Sequence, residues 1–168
     1  MPEEIRVNDP KEIWNEAIAF ETTSRVIHNA AYDQMEKGKE DLATSMTYAA
    51  FVNHAYSFEL YLKCLMAIKH GHFYKGHKLL DIFKTLPQET KDEIIHNHNT
   101  RTIIKKSVTQ AIPERGDFIK SLTEASNAFI DYRYLHNGKI PNEEYDLSFP
   151  MHPIKEMIIK ERPDFLNQ

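Results

Sequence analysis

The chain has 168 residues, of which 41% are hydrophobic and 11% aromatic, and it contains a single cysteine, Cys64. This length suits one domain with a buried core, and a lone cysteine excludes an internal disulfide. The 21 Lys and Arg residues stand against 25 Asp and Glu, a net charge of -4 that disfavours a globally basic nucleic-acid binder but allows a local basic face. We expect a soluble, cytoplasmic protein without membrane contact, because no apolar leader follows Met1 and no apolar run reaches the roughly 18 residues of a membrane span.

The first predicted helix begins at Asp9 and Pro10. Asp9 is expected to cap the free backbone N–H groups, and proline suits the first helical position. Apolar residues then recur at helical intervals, and the helix is predicted to run to about Lys37 and to stop at Gly38, where a left-handed backbone costs little.

The second predicted helix runs from about Asp41 to His70 and is followed by another glycine. Apolar residues lie on most of its sides, which predicts a position in the middle of a bundle. Glu59 interrupts this apolar surface, and a buried polar group costs about 1–3 kcal/mol when it has no partner. The spacing leaves two partners open for Glu59: Lys63, one turn along the same helix, and Arg133, across the bundle.

Three further helical segments follow. Lys78–Leu86 is short and amphipathic, and Glu89–Gln110 is a longer polar segment. The middle of the polar segment, His96–Thr100, is predicted to bend or loop because its residues are poor helix formers. The next helix is predicted to open at Pro113 and to close at Gly138, with a buried seam of Phe118, Leu122, Ala125, Phe129 and Tyr132.

The end of the chain is rich in proline. Tyr145–Phe149 alternates apolar and polar residues and predicts one extended edge segment, and Ile154–Glu161 predicts a short tail helix. Together these patterns predict an all-α fold, an up-and-down helical bundle of four to five main helices with short accessory helices. We expect a single domain over residues 1–168, with a core at about 10–138 and a C-terminal extension at 139–168.

The sequence favours neither a metal site nor a cofactor. His70 and His72 form one pair and His96 and His98 another, but two histidines at this spacing do not share a helix face, and no adjacent carboxylate completes a ligand set. We expect solvated loop histidines, no metal and no cofactor. The sequence has no Gly-rich phosphate loop and no serine nucleophile elbow, and Cys64 is predicted to be a small buried residue.

A basic stretch carries more information about function. Between Lys63 and Lys84 lie five lysines, opposed only by Asp81, with Phe73 and Tyr74 among them. Basic groups interleaved with aromatic rings can follow a phosphate backbone and stack on bases. A solvated loop and helix surface is the more common explanation of such a run, and the negative net charge favours it here.

Arg133 and His136 form the most promising catalytic pair, because residues three apart on a helix are neighbours. A histidine near the end of a helix can exchange a proton near neutral pH, and an arginine can hold a phosphate. The alternative is structural: His136 packs at the end of the bundle, while Arg133 neutralises Glu59 or Asp131.

Three stretches of the sequence are informative together: Glu59–Leu65, Gly76–Phe83 and Phe129–Tyr134. They resemble motifs of the HEPN (higher eukaryotes and prokaryotes nucleotide-binding) superfamily. The resemblance implies a helical bundle, frequent homodimers, and a dimer cleft that binds RNA or nucleotides. Many members of the superfamily are metal-independent endoribonucleases, so the resemblance also implies this activity. Their active motif is an Arg, then four to six intervening residues, then a His. The present sequence departs from that motif, because only two residues separate Arg133 from His136.

The resulting hypothesis is a HEPN-like homodimer that binds RNA or a nucleotide in its cleft, with catalysis weak or lost. Its catalytic positions are Arg133 and His136, and its ligand-binding residues are Glu59, Lys63, His77, Lys78 and Tyr134. One alternative is an active ribonuclease, of toxin or phage-defence type, that uses the shortened motif. The other is a helical interaction or immunity module whose partner is a protein encoded nearby.

Overall fold

The computed structural model describes residues 4–108, 118–133 and 148–166, with the side chains of 101–108, 124, 127–133 and 148–149 left out. Helices make up most of this part of the chain. The elements in chain order are β1 (Glu4–Arg6), α1 (Pro10–Glu36), α2 (Glu40–His70), β2 (His72–Tyr74), α3 (Leu79–Lys84), α4 (Gln88–Val108), α5 (Phe118–Arg133), α6 (Ser148–Glu161) and a 3₁₀ turn (Pro163–Leu166).

Helix α1 begins and ends where the sequence predicts. The Asp9 side chain accepts a hydrogen bond of 2.9 Å from the Lys11 backbone N–H, and Pro10 is the first helical residue. At the other end, Gly38 adopts φ 70°, while the backbone N–H groups of Gly38 and Lys39 donate to the carbonyls of Met35 and Gln34. This left-handed glycine cap turns the chain directly into α2.

Helix α2 is the centre of the bundle, as its apolar pattern predicts. Every residue from Ser57 to Ala67 is buried, and the helix packs against α1, α3, α5, α6 and β2. Tyr61 of α2 meets Trp14 of α1 edge-on, with ring centroids 5.3 Å apart. Trp14 in turn packs on Phe165 of the 3₁₀ turn, with ring centroids 5.8 Å apart. The all-α helical bundle is therefore confirmed.

A small antiparallel sheet was not predicted. Gly71, at φ 75°, ends α2 and lets the chain enter β2, which pairs with β1 near the start of the chain. Ile5 is paired with Phe73, and Phe73 packs against the core. This sheet returns the chain along the last turns of α2 towards His77.

Two predictions of secondary structure are wrong. Helix α4 is continuous through His96–Thr100, because His98 is buried and its ring packs against Phe118 of α5 at 5.2 Å. Tertiary burial here outweighs weak helix propensity.

The predicted edge segment is also incorrect at Ser148 and Phe149, which form the first turn of α6; its residues 145–147 lie outside the described residues. Pro150 falls in that turn, where the missing N–H costs little. Pro153 then loses one backbone hydrogen bond, but four buried apolar residues hold the helix in the core: Met151, Ile154, Met157 and Ile158. The ends of the helix predicted from Pro113 to Gly138 lie outside the described residues.

None of the helices in the described ranges is long and apolar enough to cross a membrane.

Candidate functional site

Glu59 is a buried carboxylate on α2 with two charged or polar partners. Only 1% of its side chain is exposed. The Lys63 Nζ donates to Glu59 Oε1 at 2.7 Å, one helical turn away. His77 Nδ1 lies 3.1 Å from Oε1 and 3.2 Å from Oε2. Both carboxylate oxygens are therefore engaged, which a buried charge requires.

Lys63 is nearly as buried as Glu59. Its side chain is 11% exposed, and its Nζ lies 5.2 Å from the centre of the Phe73 ring. A helical i,i+4 ion pair on an exposed surface contributes only a few tenths of a kcal/mol. The loss of one member of this pair would leave a buried charge without its partner, which is far more costly.

His77 connects the buried carboxylate to the surface. Its side chain is 65% exposed, whereas Glu59 is almost fully enclosed. An ionised carboxylate can only accept, so Nδ1 carries the proton and donates to Glu59. Such a carboxylate fixes the imidazole tautomer and the orientation of the ring. The other ring nitrogen, Nε2, is the atom that a ligand at this surface would meet.

Lys78 follows His77 directly and is exposed at the start of α3. Its backbone carbonyl accepts from the N–H groups of Asp81 and Ile82, so the first turn of α3 fixes its position. Lys75 is exposed just before this point. The structure thus brings Glu59, Lys63 and His77 into direct contact, with Lys78 beside them in the chain.

The other predicted site residues are not described at the level of side chains. Arg133 is the last residue of α5, and its side chain is among those left out. Tyr134 and His136 lie outside the described residues. Of the two partners considered for Glu59, Lys63 is therefore observed, and the Arg133 pairing remains a prediction.

The histidine pairs differ from expectation in one respect. His98 is 1% exposed and belongs to α4, so the prediction of a solvated loop is wrong for it, and His96 is exposed on the same helix. His70 ends α2 and His72 begins β2. Within residues 4–108, 118–133 and 148–166, no three His, Cys, Asp or Glu side chains are placed to hold a metal ion.

Cys64 is buried, as predicted. Its Sγ donates to the Pro10 carbonyl at 3.4 Å, and burial raises the pKa of the thiol to about 12. At neutral pH the thiol is protonated, and a protonated buried thiol is a poor nucleophile.

A second polar cluster was missed from the sequence. The carboxylate of Glu21 on α1 accepts from the Tyr61 hydroxyl at 2.5 Å and from Lys155 of α6 at 2.7 and 2.8 Å. The one signal for this cluster in the sequence was the position of Glu21 beside the apolar face of α1. The partners of Glu21 could not be predicted, because they come from two other helices.

The fold and the cluster of Glu59, Lys63 and His77 define a helical module with a charged site on the second half of its central helix. A family model described as HEPN domain matches residues 24–146, which is more than half of the chain. The protein belongs to the HEPN domain family, and the resemblance found in the sequence is confirmed. No curated protein and no solved structure matches the chain.

Proposed function

We propose that this HEPN domain binds RNA or a nucleotide through phosphate groups at a basic corner, defined as Lys63, Lys75, His77 and Lys78. The observation that carries the proposal is the contact of His77 and Lys63 with the buried carboxylate of Glu59. This contact holds an exposed imidazole in one orientation beside exposed lysines. Fixed cationic donors of this kind are what phosphate recognition requires.

The charge of the corner is local. The chain as a whole carries -4, whereas the corner groups three lysines and a histidine around Glu59, with Asp81 in the first turn of α3 as a further acidic group. Lysines that neutralise phosphates release counterions, so binding at such a corner weakens as salt rises. This dependence gives the proposal a quantitative readout.

The direction of α5 supports a role for Arg133. Phe118, at the start of α5, packs on Phe83 of α3 with ring centroids 5.0 Å apart, and Ser126 accepts from the Leu80 backbone N–H at 3.4 Å. Helix α5 thus runs antiparallel to α3, towards the start of α3 where Lys78 lies. We propose that Arg133, Tyr134 and His136 complete the site.

The exposed end of the α1–α2 hairpin supports a homodimer. Tyr32 and Met35 are more than half exposed and lie one turn apart near the end of α1, and Leu42 in the first turn of α2 is about half exposed. A concentration of exposed apolar surface is typical of a protein contact. We propose that a second copy covers it, and the sedimentation velocity of the wild type and of Met35→Glu tests this. A dimer that Met35→Glu dissociates is expected; monomeric wild-type protein would contradict it.

The binding proposal is tested by titrating a fluorescently labelled 12-nucleotide single-stranded RNA, and separately labelled ATP, at several salt concentrations. Lys78→Ala and Arg133→Ala are expected to weaken binding and to reduce the salt slope by about one each. Lys39→Ala, an exposed lysine at the far end of the hairpin, is the matched control and is expected to bind normally. Unchanged affinity of both site variants would contradict the proposal. So would a stable complex with a protein encoded nearby that lacks nucleic acid, which would favour the interaction-module alternative.

The contact between Glu59 and His77 also favours a second candidate function, a metal-independent endoribonuclease. In such cleavage a base takes the proton of the ribose 2′-hydroxyl, the 2′-oxygen attacks phosphorus, and an acid protonates the departing 5′-oxygen. A cation stabilises the charge on the phosphorane. We propose His77 and His136 for the proton transfers and Arg133 for the cation.

Incubation of the protein with single-stranded RNA in the presence of a chelator tests this candidate. Wild type is expected to yield 2′,3′-cyclic phosphate ends, and His136→Ala and His77→Ala are expected to lose them. Identical product patterns for all three proteins would rule out this enzyme.

A further inference from the structure

The end of α2 and strand β2 place three rings in a row. The ring centroids of His70 and His72 are 5.8 Å apart, and those of His72 and Tyr74 are 5.4 Å apart. We call His70, His72 and Tyr74 the ring row. His70 is exposed, and the other two are half-buried.

The pairing of the two strands explains why these rings share one face. Successive residues of a strand point to opposite faces, so His72 and Tyr74 lie on one face and Phe73 on the other. Phe73 packs against the core and against the Lys63 ammonium. Cross-strand partners share a face, which places Arg6 with His72 and Glu4 with Tyr74. The outer face of the sheet therefore carries the ring row together with the exposed guanidinium of Arg6.

The ring row is followed in the chain by residues of the basic corner. Tyr74 is followed by Lys75, and His77 comes three residues after Tyr74. A single RNA strand laid along β2 in the direction of the chain would meet the rings first and these groups next. Rings and an arginine beside a phosphate-binding surface are the two components of single-strand recognition, since bases stack on the rings while cations follow the backbone.

We propose that the ring row is a base-stacking surface for single-stranded RNA whose phosphates are bound at the basic corner. This inference rests on the proposed function and specifies its substrate class. Duplex RNA does not fit, because its bases are already stacked on one another and hidden from the rings. Stacking accepts any base, so binding shows little sequence preference.

The experiment compares three labelled RNAs of equal length with the full chain: a single-stranded 12-mer, the same strand with abasic sites, and a duplex. The wild type is expected to bind the single strand about tenfold or more tightly than the abasic strand, and more tightly than the duplex. His72→Ala and Tyr74→Leu are each expected to weaken binding of the base-bearing single strand about tenfold and to leave binding of the abasic strand unchanged. The salt dependence of their binding stays that of the wild type, whereas Lys78→Ala weakens the binding of both strands.

His96→Ala removes an exposed histidine of α4 and is the matched control. Tyr74 is partly packed, so His70→Ala provides a second variant at an exposed residue, and circular dichroism verifies the fold of each. Equal affinity of the wild type for the single and the abasic strand would overturn the ring row and leave the proposed phosphate site standing. An absence of binding to all three RNAs would overturn the ring row and the RNA-binding part of the proposed function, and the ATP titration then decides the nucleotide part.

Discussion

The carboxylate of Glu21 joins three helices of the bundle. It accepts hydrogen bonds from Tyr61 on α2 and from Lys155 on α6, and the Lys155 ammonium lies 5.1 Å from the centre of the Tyr61 ring. Burial alone would raise the pKa of Glu21, but the hydrogen bonds from Lys155 and Tyr61 outweigh it, so the pKa lies below its ordinary value. The ionised form is therefore stabilised by folding.

Glu21→Gln is expected to make the free energy of unfolding change less between pH 7 and pH 3. A pKa that is lower in the folded state contributes stability above the ordinary value of 4.5, and this contribution is lost as pH falls through the lowered pKa. The variant should be less stable than the wild type at pH 7, and the difference should shrink below about pH 4. Urea unfolding at pH 7, 5 and 3 measures it. A difference that stays constant over this range would contradict the assignment, and Glu93→Gln, from the exposed pair with Lys160, is the control.

Cys64 is expected to be unreactive in the folded protein. Its thiol is buried and has a pKa raised to about 12, so almost no thiolate is present at pH 8. Native protein treated with iodoacetamide should keep its mass, and protein unfolded in urea should gain one carbamidomethyl group. Rapid labelling of the native protein would show that α1 separates from α2 at Pro10.

At the scale of elements, the helix ends were predictable where they depend on local chemistry. Asp9 with Pro10, and the glycines after α1 and α2, each act within a few residues of the helix end. The course of α4 was not predictable, because burial of His98 depends on Phe118, twenty residues away. Strand β2 was missed for a similar reason: its partner β1 precedes it by more than sixty residues, and three residues are too few for a periodic signal.

Gly71 gives a direct test of an element boundary. It adopts φ 75°, and an added Cβ would meet nothing within 4 Å, so only the backbone conformation disfavours alanine. Gly71→Ala is expected to cost about 1 kcal/mol of unfolding free energy, and Gly71→Asn less, since asparagine tolerates the left-handed region. Gly76→Ala is the control: Gly76 has equal space but no positive φ. Thermal and urea unfolding compare the three, and equal stability of Gly71→Ala and Gly76→Ala would contradict the argument.

At the scale of the molecule, the site depends on contacts of both short and long range. Lys63 was predictable as a partner of Glu59 because the two are one helical turn apart. The position of His77 required the turn at Gly71 and the pairing of β1 with β2, which return the chain to α2. The ring row required the same pairing. The sequence pattern therefore indicated which residues are candidates for the site, and the sheet determined that His77 meets the pair on α2.

The central position of α2 predicts a gradient of local stability along that one helix. Residues 57–67 are buried on every side, whereas between Glu40 and Tyr48 only Ala43 is buried. Amide hydrogens in the first segment can exchange only when the bundle unfolds, and those in the second can exchange by local opening of the hairpin end. Mass spectrometry of hydrogen exchange should therefore give residues 57–67 an opening free energy near that of global unfolding and residues 40–48 a lower one.

Gly71→Ala sharpens this prediction, because a loss of about 1 kcal/mol in global stability speeds exchange limited by global unfolding about fivefold. The increase is expected in residues 57–67, with a smaller change in 40–48. A second, higher protein concentration separates local opening from self-association, since a dimer through the hairpin end would protect residues 40–48 as concentration rises. Exchange at one common rate along the whole of α2, with the same response to Gly71→Ala, would show that the hairpin end unfolds only with the core.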